Sequence, residues 1–413
     1  MIRSALFTTY FTLLHIGYFH TFPVVNYMWR QTYEFDVLIF ISSFLVLMIF
    51  HRLILAFSDA FIVGLTINLY IIITPIFVIL GSTAGYGLET YIFVIITLSI
   101  PMISILFSAV PNIRGKIRLE SFSYFIFYFA LTCVVLVLIN YGKSLGGSLI
   151  NVLQNVYNIR QDHQLSTIEA YSIRIFISII MPLLIWQGFV NRRYTLIIIA
   201  FLCSLSLFMT FALKFQLLVF ICYVYIFGFR YRLAYSWEVS IVSFLFCVLL
   251  GSAILGVLGL NLLDRFLFLP GLLNILYVDF HLDHPLRFFE GSKIGWLIGT
   301  EAYYNLDVGY VIDRHYFGGA GMNGNTGYLG SLFADIGYSS ILLSGLLLNS
   351  LLYLCKLVNE RFRGAGEVLA CSLCFELLNA PITNVFLSNG FILLFAVVLL
   401  SVRNASSNVR CIQ

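Results

Sequence analysis

A run of about twenty apolar residues is long enough to cross the ~30 Å hydrocarbon core of a bilayer as a helix, and this chain repeats such runs almost end to end. Twelve candidates are read, at about 4–22, 36–55, 59–81, 90–110, 121–141, 170–190, 194–211, 215–229, 238–261, 326–350, 366–381 and 385–402. With 61% hydrophobic and 10% charged residues over 413 positions, and a mean hydropathy of +0.97, the apolar side chains outnumber what one globular core can hide. Lipid must be their solvent. The expected fold is all-α: one polytopic membrane domain over 1–413 with about 12 transmembrane helices.

Lysine and arginine orient it. With the N-terminus inside, the cytoplasmic turns hold Arg3, Arg52, Arg114, Lys116, Arg118, Arg192, Arg193, Arg230, Arg232, Lys356, Arg361, Arg363, Arg403 and Arg410. The short outer loops hold only Arg30, Lys143, Arg160 and Lys214. This positive-inside bias predicts both termini in the cytoplasm. The small net charge of +4, in short scattered clusters, argues against nucleic acid as a partner. The first apolar stretch lacks a small-residue cleavage site and reads as a span. Eight cysteines fall in apolar runs or inner loops, so no disulfide framework is expected outside. Cys371 and Cys374 form a CxxC within an apolar helix and read as packing residues.

Two outer segments exceed ordinary connectors: 142–169, of medium length, and 262–325, the large loop. The large loop is rich in aromatics, which disordered segments avoid, and predicts a partly helical cap. No internal repeat supports an inverted-repeat transporter.

The large loop also gathers the chemistry. His281, His284 and His315 are candidate general bases, because imidazole titrates near working pH. Pro285 argues against a long helix beneath the first two. Arg265, Arg287 and Arg314, with Arg160 from the medium loop, offer forked donors that suit phosphate oxygens. Lys214 lies at a tight turn between two short spans. Trp296 suits stacking on a sugar. The stretch GGAGMNGNTGYLG, Gly318–Gly330, which includes Asn325, predicts either close backbone approach to an anion or a hinge into the next span. His281-x-x-His284 has only weak metal spacing, so no metal and no cofactor are expected. Arg174, Asp335 and Glu376 lie inside apolar runs, where charge is costly and usually faces the bundle interior. Arg174 predicts either a pyrophosphate contact or a structural pair with Asp335.

With these features in place, the chain resembles the Wzy-type O-antigen (surface polysaccharide) polymerases. RFLFLPGLLNILYVDFHLDHPLRF, Arg265–Phe288, looks like the start of that family's long loop, and MNGNTGYLGSLFADIGY, Met322–Tyr338, like its return into the membrane. Some members carry an arginine followed by ten residues and a glycine. Arg160 and Arg265 do not, since position 171 is Tyr and position 276 is Leu. The resemblance implies a glycosyltransferase of the bacterial inner membrane, working metal-independently on the periplasmic side in lipopolysaccharide biosynthesis. It would move a growing glycan from undecaprenyl pyrophosphate onto the terminal sugar of an incoming undecaprenyl-pyrophosphate-linked repeat unit. Arg160, Arg174, Lys214, Arg265, Arg287, Arg314 and Asn325 would then bind pyrophosphate or glycan, and His281, His284, His315 or a nearby carboxylate would serve as base. A chain-length regulator and a flippase of the same pathway would be its protein partners. An O-antigen ligase, which uses a lipid A core as acceptor, shares the architecture. A lipid-linked oligosaccharide flippase or transporter is the reading from another class.

Overall fold

A computed structural model describes residues 2–21, 33–57, 59–83, 167–211, 214–256, 264–290, 292–301, 303–304, 306–319 and 326–392. The expected spans at 90–110 and 121–141, and Arg160 and Asn325 with them, lie outside the described residues. So does most of the 142–169 loop.

In chain order the helices are α1 (Ile2–Thr21), α2 (Val37–Ile54), α3 (Asp59–Ile67), α4 (Thr74–Leu80), α5 (Thr167–Ile175), α6 (Met181–Val190), α7 (Tyr194–Phe211), α8 (Lys214–Phe227) and α9 (Trp237–Gly256). Next come α10 (Leu269–Asp283), α11 (Lys293–Ile298), α12 (Val308–Tyr316), α13 (Tyr328–Ile336), α14 (Ser340–Arg361), α15 (Ala365–Glu376) and α16 (Ile382–Ser388). Among the described residues there is no strand, only an isolated bridge between Tyr33 and Thr83. Five helical stretches among them are long and apolar enough to cross a membrane: Val37–Ile54, Ala60–Leu80, Ala170–Val190, Phe266–Asp283 and Tyr328–Glu360.

The side-chain distribution on α2 identifies the solvent it was built for. Val37, Ile41, Leu45 and Ile49, four apart, stand exposed in a stripe, while Ser43 and His51 are buried on the other face. In water such an arrangement would be inverted. A helix that turns aliphatic side chains outward and polar ones inward is matched to lipid.

Three of the membrane-length stretches share one device. A π-helical turn (Asn68–Ile73, Phe176–Ile180 or Asp264–Phe268) is followed at once by a proline near the start of the next helix: Pro75, Pro182 and Pro270. Proline lacks an N–H and its ring clashes with the carbonyl four residues back. The widened π turn makes room without ending the helix. At the first, the Tyr70 carbonyl, five residues before Pro75, accepts instead from the Tyr10 hydroxyl at 2.6 Å, and the Thr74 hydroxyl donates to the Leu69 carbonyl at 2.7 Å.

The chain forms two compact units. One comprises 1–111, 245–353 and 374–382; the other comprises 112–244, 354–373 and 383–413. In the second, α7 and α8 pack as the expected hairpin around Lys214. There Glu367 accepts from the Trp237 indole and faces Arg230 at 3.7 Å. Cys371, and Cys374 of the first unit, are fully buried, as expected of packing residues.

In the first unit the 262–325 segment, expected to be partly helical, opens on a helix: Asp264–Asp283 is helical, and its Phe266–Asp283 portion has a mean hydropathy of 1.3. Its polar interruptions are accounted for locally. Asn274 donates to the Pro270 carbonyl and accepts from the Gly330 amide, both at 2.7 Å. The helix stops at His284, whose extended backbone (φ −123, ψ 155) is the conformation that a following proline imposes.

The same contact revises the reading of the glycine-rich stretch, within its described part. Gly330 sits against α10 so closely that a Cβ there would lie 2.9 Å from the Asn274 Cα. A Cβ at Gly327 would lie 2.8 Å from the Leu378 carbonyl. The amides at the start of α13 are already engaged: Tyr328 donates to the Leu377 carbonyl and Gly330 to Asn274. These glycines bring helices together; they do not cradle an anion.

Candidate functional site

The last turn of α10 carries Asp279, Phe280, His281 and Asp283, and the Phe280 ring is the hub on which the expected histidines gather. His284 stacks flat on that ring, with centroids 4.0 Å apart and planes 6° from parallel. His281 meets it edge-on at 5.0 Å, and His315, from the end of α12, does so at 5.2 Å. His284 and His315 are 5.5 Å apart. The three histidines singled out from the sequence therefore converge on one aromatic ring, although the third is more than thirty residues away along the chain. Tyr316 secures α12 by donating to Asp279 at 2.8 Å.

Backbone carbonyls set the chemistry of two of these rings. His281 Nδ1 lies 3.0 Å from the Pro285 carbonyl, and His284 Nδ1 lies 2.9 Å from the Phe280 carbonyl. A carbonyl can only accept, so each Nδ1 carries the proton and each neutral ring keeps its Nε2 lone pair. His281 Nε2 is buried and has no hydrogen-bond partner among the described residues. His284 is half-buried and His315 exposed, so their Nε2 atoms are the reachable ones.

A strap over 285–306 closes one side of the cluster. Arg287 and Phe288 donate their amides to the Ala334 and Asp335 carbonyls at 2.8 and 3.1 Å. The Arg287 guanidinium donates to the Glu290 carbonyl and approaches the Asp335 carboxylate at 3.9 Å. Phe288 and Phe289 both adopt left-handed backbone, φ 49 and 66, a conformation bulky residues accept only where the surroundings impose it. Gly295 is part of that imposition, since a Cβ there would lie 2.2 Å from the Phe289 carbonyl. The buried Glu290 carboxylate holds the Tyr304 amide with both oxygens, at 3.0 and 3.2 Å. The Tyr304 hydroxyl then donates to the Pro285 carbonyl, the same acceptor that fixes His281. Burial, followed by the neighbouring Tyr303 and Glu290, pushes the Tyr304 phenol up, so it stays a donor.

The other expected site residues are spread more widely. Arg314 is exposed on the last turn of α12, next to His315. Trp296 is exposed on α11. Arg265 lies in the π turn that opens α10, and Lys214 begins α8. Arg174 is exposed on α5, in the other unit from the histidines. Facing Asp335 is Arg287, at 3.9 Å. Among the described residues no three His, Cys, Asp or Glu side chains converge as metal ligands. Sequence reasoning missed the roles of Glu290, Tyr304 and Asn274. Only Asn274 left a signal, an amide in the middle of an apolar run. Comparison with protein-family models, with curated proteins and with solved structures finds no match.

Proposed function

We propose that this protein polymerises lipid-linked oligosaccharide repeats at the outer face of the bacterial inner membrane. The observation that carries the reading is the histidine cluster: three imidazoles gathered on Phe280 at the end of α10, two of them with Nδ1 held by a backbone carbonyl, and flanked by Arg314.

In the proposed reaction His284 Nε2 takes the proton of the acceptor sugar hydroxyl as that oxygen attacks the anomeric carbon of the growing chain. The bond from that carbon to the pyrophosphate oxygen breaks. Undecaprenyl pyrophosphate departs with the electron pair, and the glycan is one repeat longer. His284 is the preferred base because its ring is both oriented and reachable, whereas His281 is sealed and His315 lacks a backbone anchor. Arg314, beside His315, would hold the pyrophosphate charge that develops on departure. Arg160, Arg265, Lys214 and Asn325 stay in the proposal as pyrophosphate or glycan contacts on the resemblance alone, and Arg174 on its charge inside an apolar run.

Deleting the gene and resolving the surface polysaccharide on a gel tests this. The ladder is expected to collapse to a single repeat still attached to the lipid A core. Loss of all attachment would instead indicate a ligase, and an unchanged ladder would exclude both.

The orientation rests on the lysine and arginine bias. Reporters fused after Gly147 and Gly318 are expected to read the exterior, and reporters after Gly115, Arg193 and Arg363 the cytoplasm. A cytoplasmic signal at Gly318 would put the histidines on the wrong side for this chemistry.

A further inference from the structure

We infer that α11 is a membrane-interface anchor, a rigid apolar tip that dips into the outer surface of the bilayer beside the histidine cluster. It has one turn and a half, yet it is capped at both ends. The Ser292 hydroxyl accepts from the Gly295 amide at 3.0 Å, and Gly299 closes the helix in left-handed backbone, φ 71. The tip this holds in place is Trp296, Leu297 and Ile298, exposed by 85%, 77% and 61%. Three large apolar side chains fixed outward on a capped turn are costly in water and match the interfacial layer, where tryptophan is enriched.

The position fits a bilayer rather than a protein partner or a glycan. The Thr300 hydroxyl donates to the Phe288 carbonyl at 3.0 Å, and the Phe288 amide donates to the Asp335 carbonyl, near the end of α13. Immediately beyond, Tyr338 and then Leu342 on α14 are exposed on a stretch of membrane-spanning length. Phe288 is itself exposed. The tip is thus tied by hydrogen bonds to the margin of the surface that lipid must cover. A sugar platform uses an aromatic face bordered by polar groups, and here the tryptophan's neighbours are aliphatic.

The test uses the full-length protein in phosphatidylcholine–phosphatidylglycerol vesicles. The emission difference between wild type and Trp296→Phe isolates Trp296 from the other tryptophans. It is expected to be quenched strongly by lipids brominated near the headgroup end of the acyl chains and weakly by aqueous iodide. Leu297→Glu combined with Ile298→Glu, which alters only exposed positions, should reverse that order. Strong quenching by iodide in wild type would overturn the inference. Shielding from both quenchers would overturn it too, and would indicate a protein surface over the tip.

Discussion

His284→Asn is expected to leave the protein at its normal level in the membrane and to stop polymer growth. The asparagine amide can still donate to the Phe280 carbonyl, the bond that His284 Nδ1 makes at 2.9 Å. What it lacks is the Nε2 lone pair on the other side of the ring. Removal of a general base ordinarily costs about 10²- to 10⁴-fold in rate. The surface polysaccharide should therefore shrink to one repeat, as in the deletion, with no loss of protein. His281→Asn should cost less, since its Nε2 is sealed from substrate and its loss acts through the cluster's shape. Full-length ladders from His284→Asn would remove this residue from the chemistry.

The second large effect is expected at the strap. Arg287 and Asp335 are both largely buried and lie 3.9 Å apart. Removing one partner of such a pair leaves the other charge without compensation, at a cost of about 3 kcal/mol or more. Arg287→Ala should thus lower the protein's membrane level and loosen the strap that orients Tyr304 and His281. Asp335→Asn alone should do the same, because it strands the guanidinium. The double variant Arg287→Gln, Asp335→Asn replaces the ion pair with two neutral amides and should recover most of the level. Wild-type abundance of Arg287→Ala would show that the pair contributes nothing to folding.

The contrast between these two sites shows what the sequence could and could not convey. That lipid is the solvent is written in the length of the apolar runs, and the stripe of outward aliphatics on α2 is its structural counterpart. His281, His284 and His315 are legible because ionisable groups are rare in this chain and these stand together in one polar segment. Their convergence on Phe280 is not legible, because it depends on α12 folding back over the last turn of α10. The helix at 264–283 is hidden for a local reason. Asp264, Arg265, Pro270, Gly271 and Asn274 give it the composition of a loop. Pro270 is accommodated by the π turn before it, and Asn274 by the tight contact with Gly330, which needs the opposing helix to be seen. The glycines at 327 and 330 mislead in the same way, since a glycine that brings helices together and one that cradles an anion look alike along a chain. Asp335 is readable as a charge needing a partner. Its partner comes from an irregular strap, where no periodicity predicts which residue will arrive.

Reconstitution tests the central claim most directly. Purified full-length protein in liposomes, supplied with undecaprenyl-pyrophosphate-linked repeat units and excess EDTA, is expected to yield a ladder of lengthening lipid-linked glycans. The reaction should proceed in chelator, because arginines and an imidazole supply the charge and the base that a metal ion would otherwise provide. Repeat units recovered at their original length, or crossing the bilayer unchanged, would contradict the account.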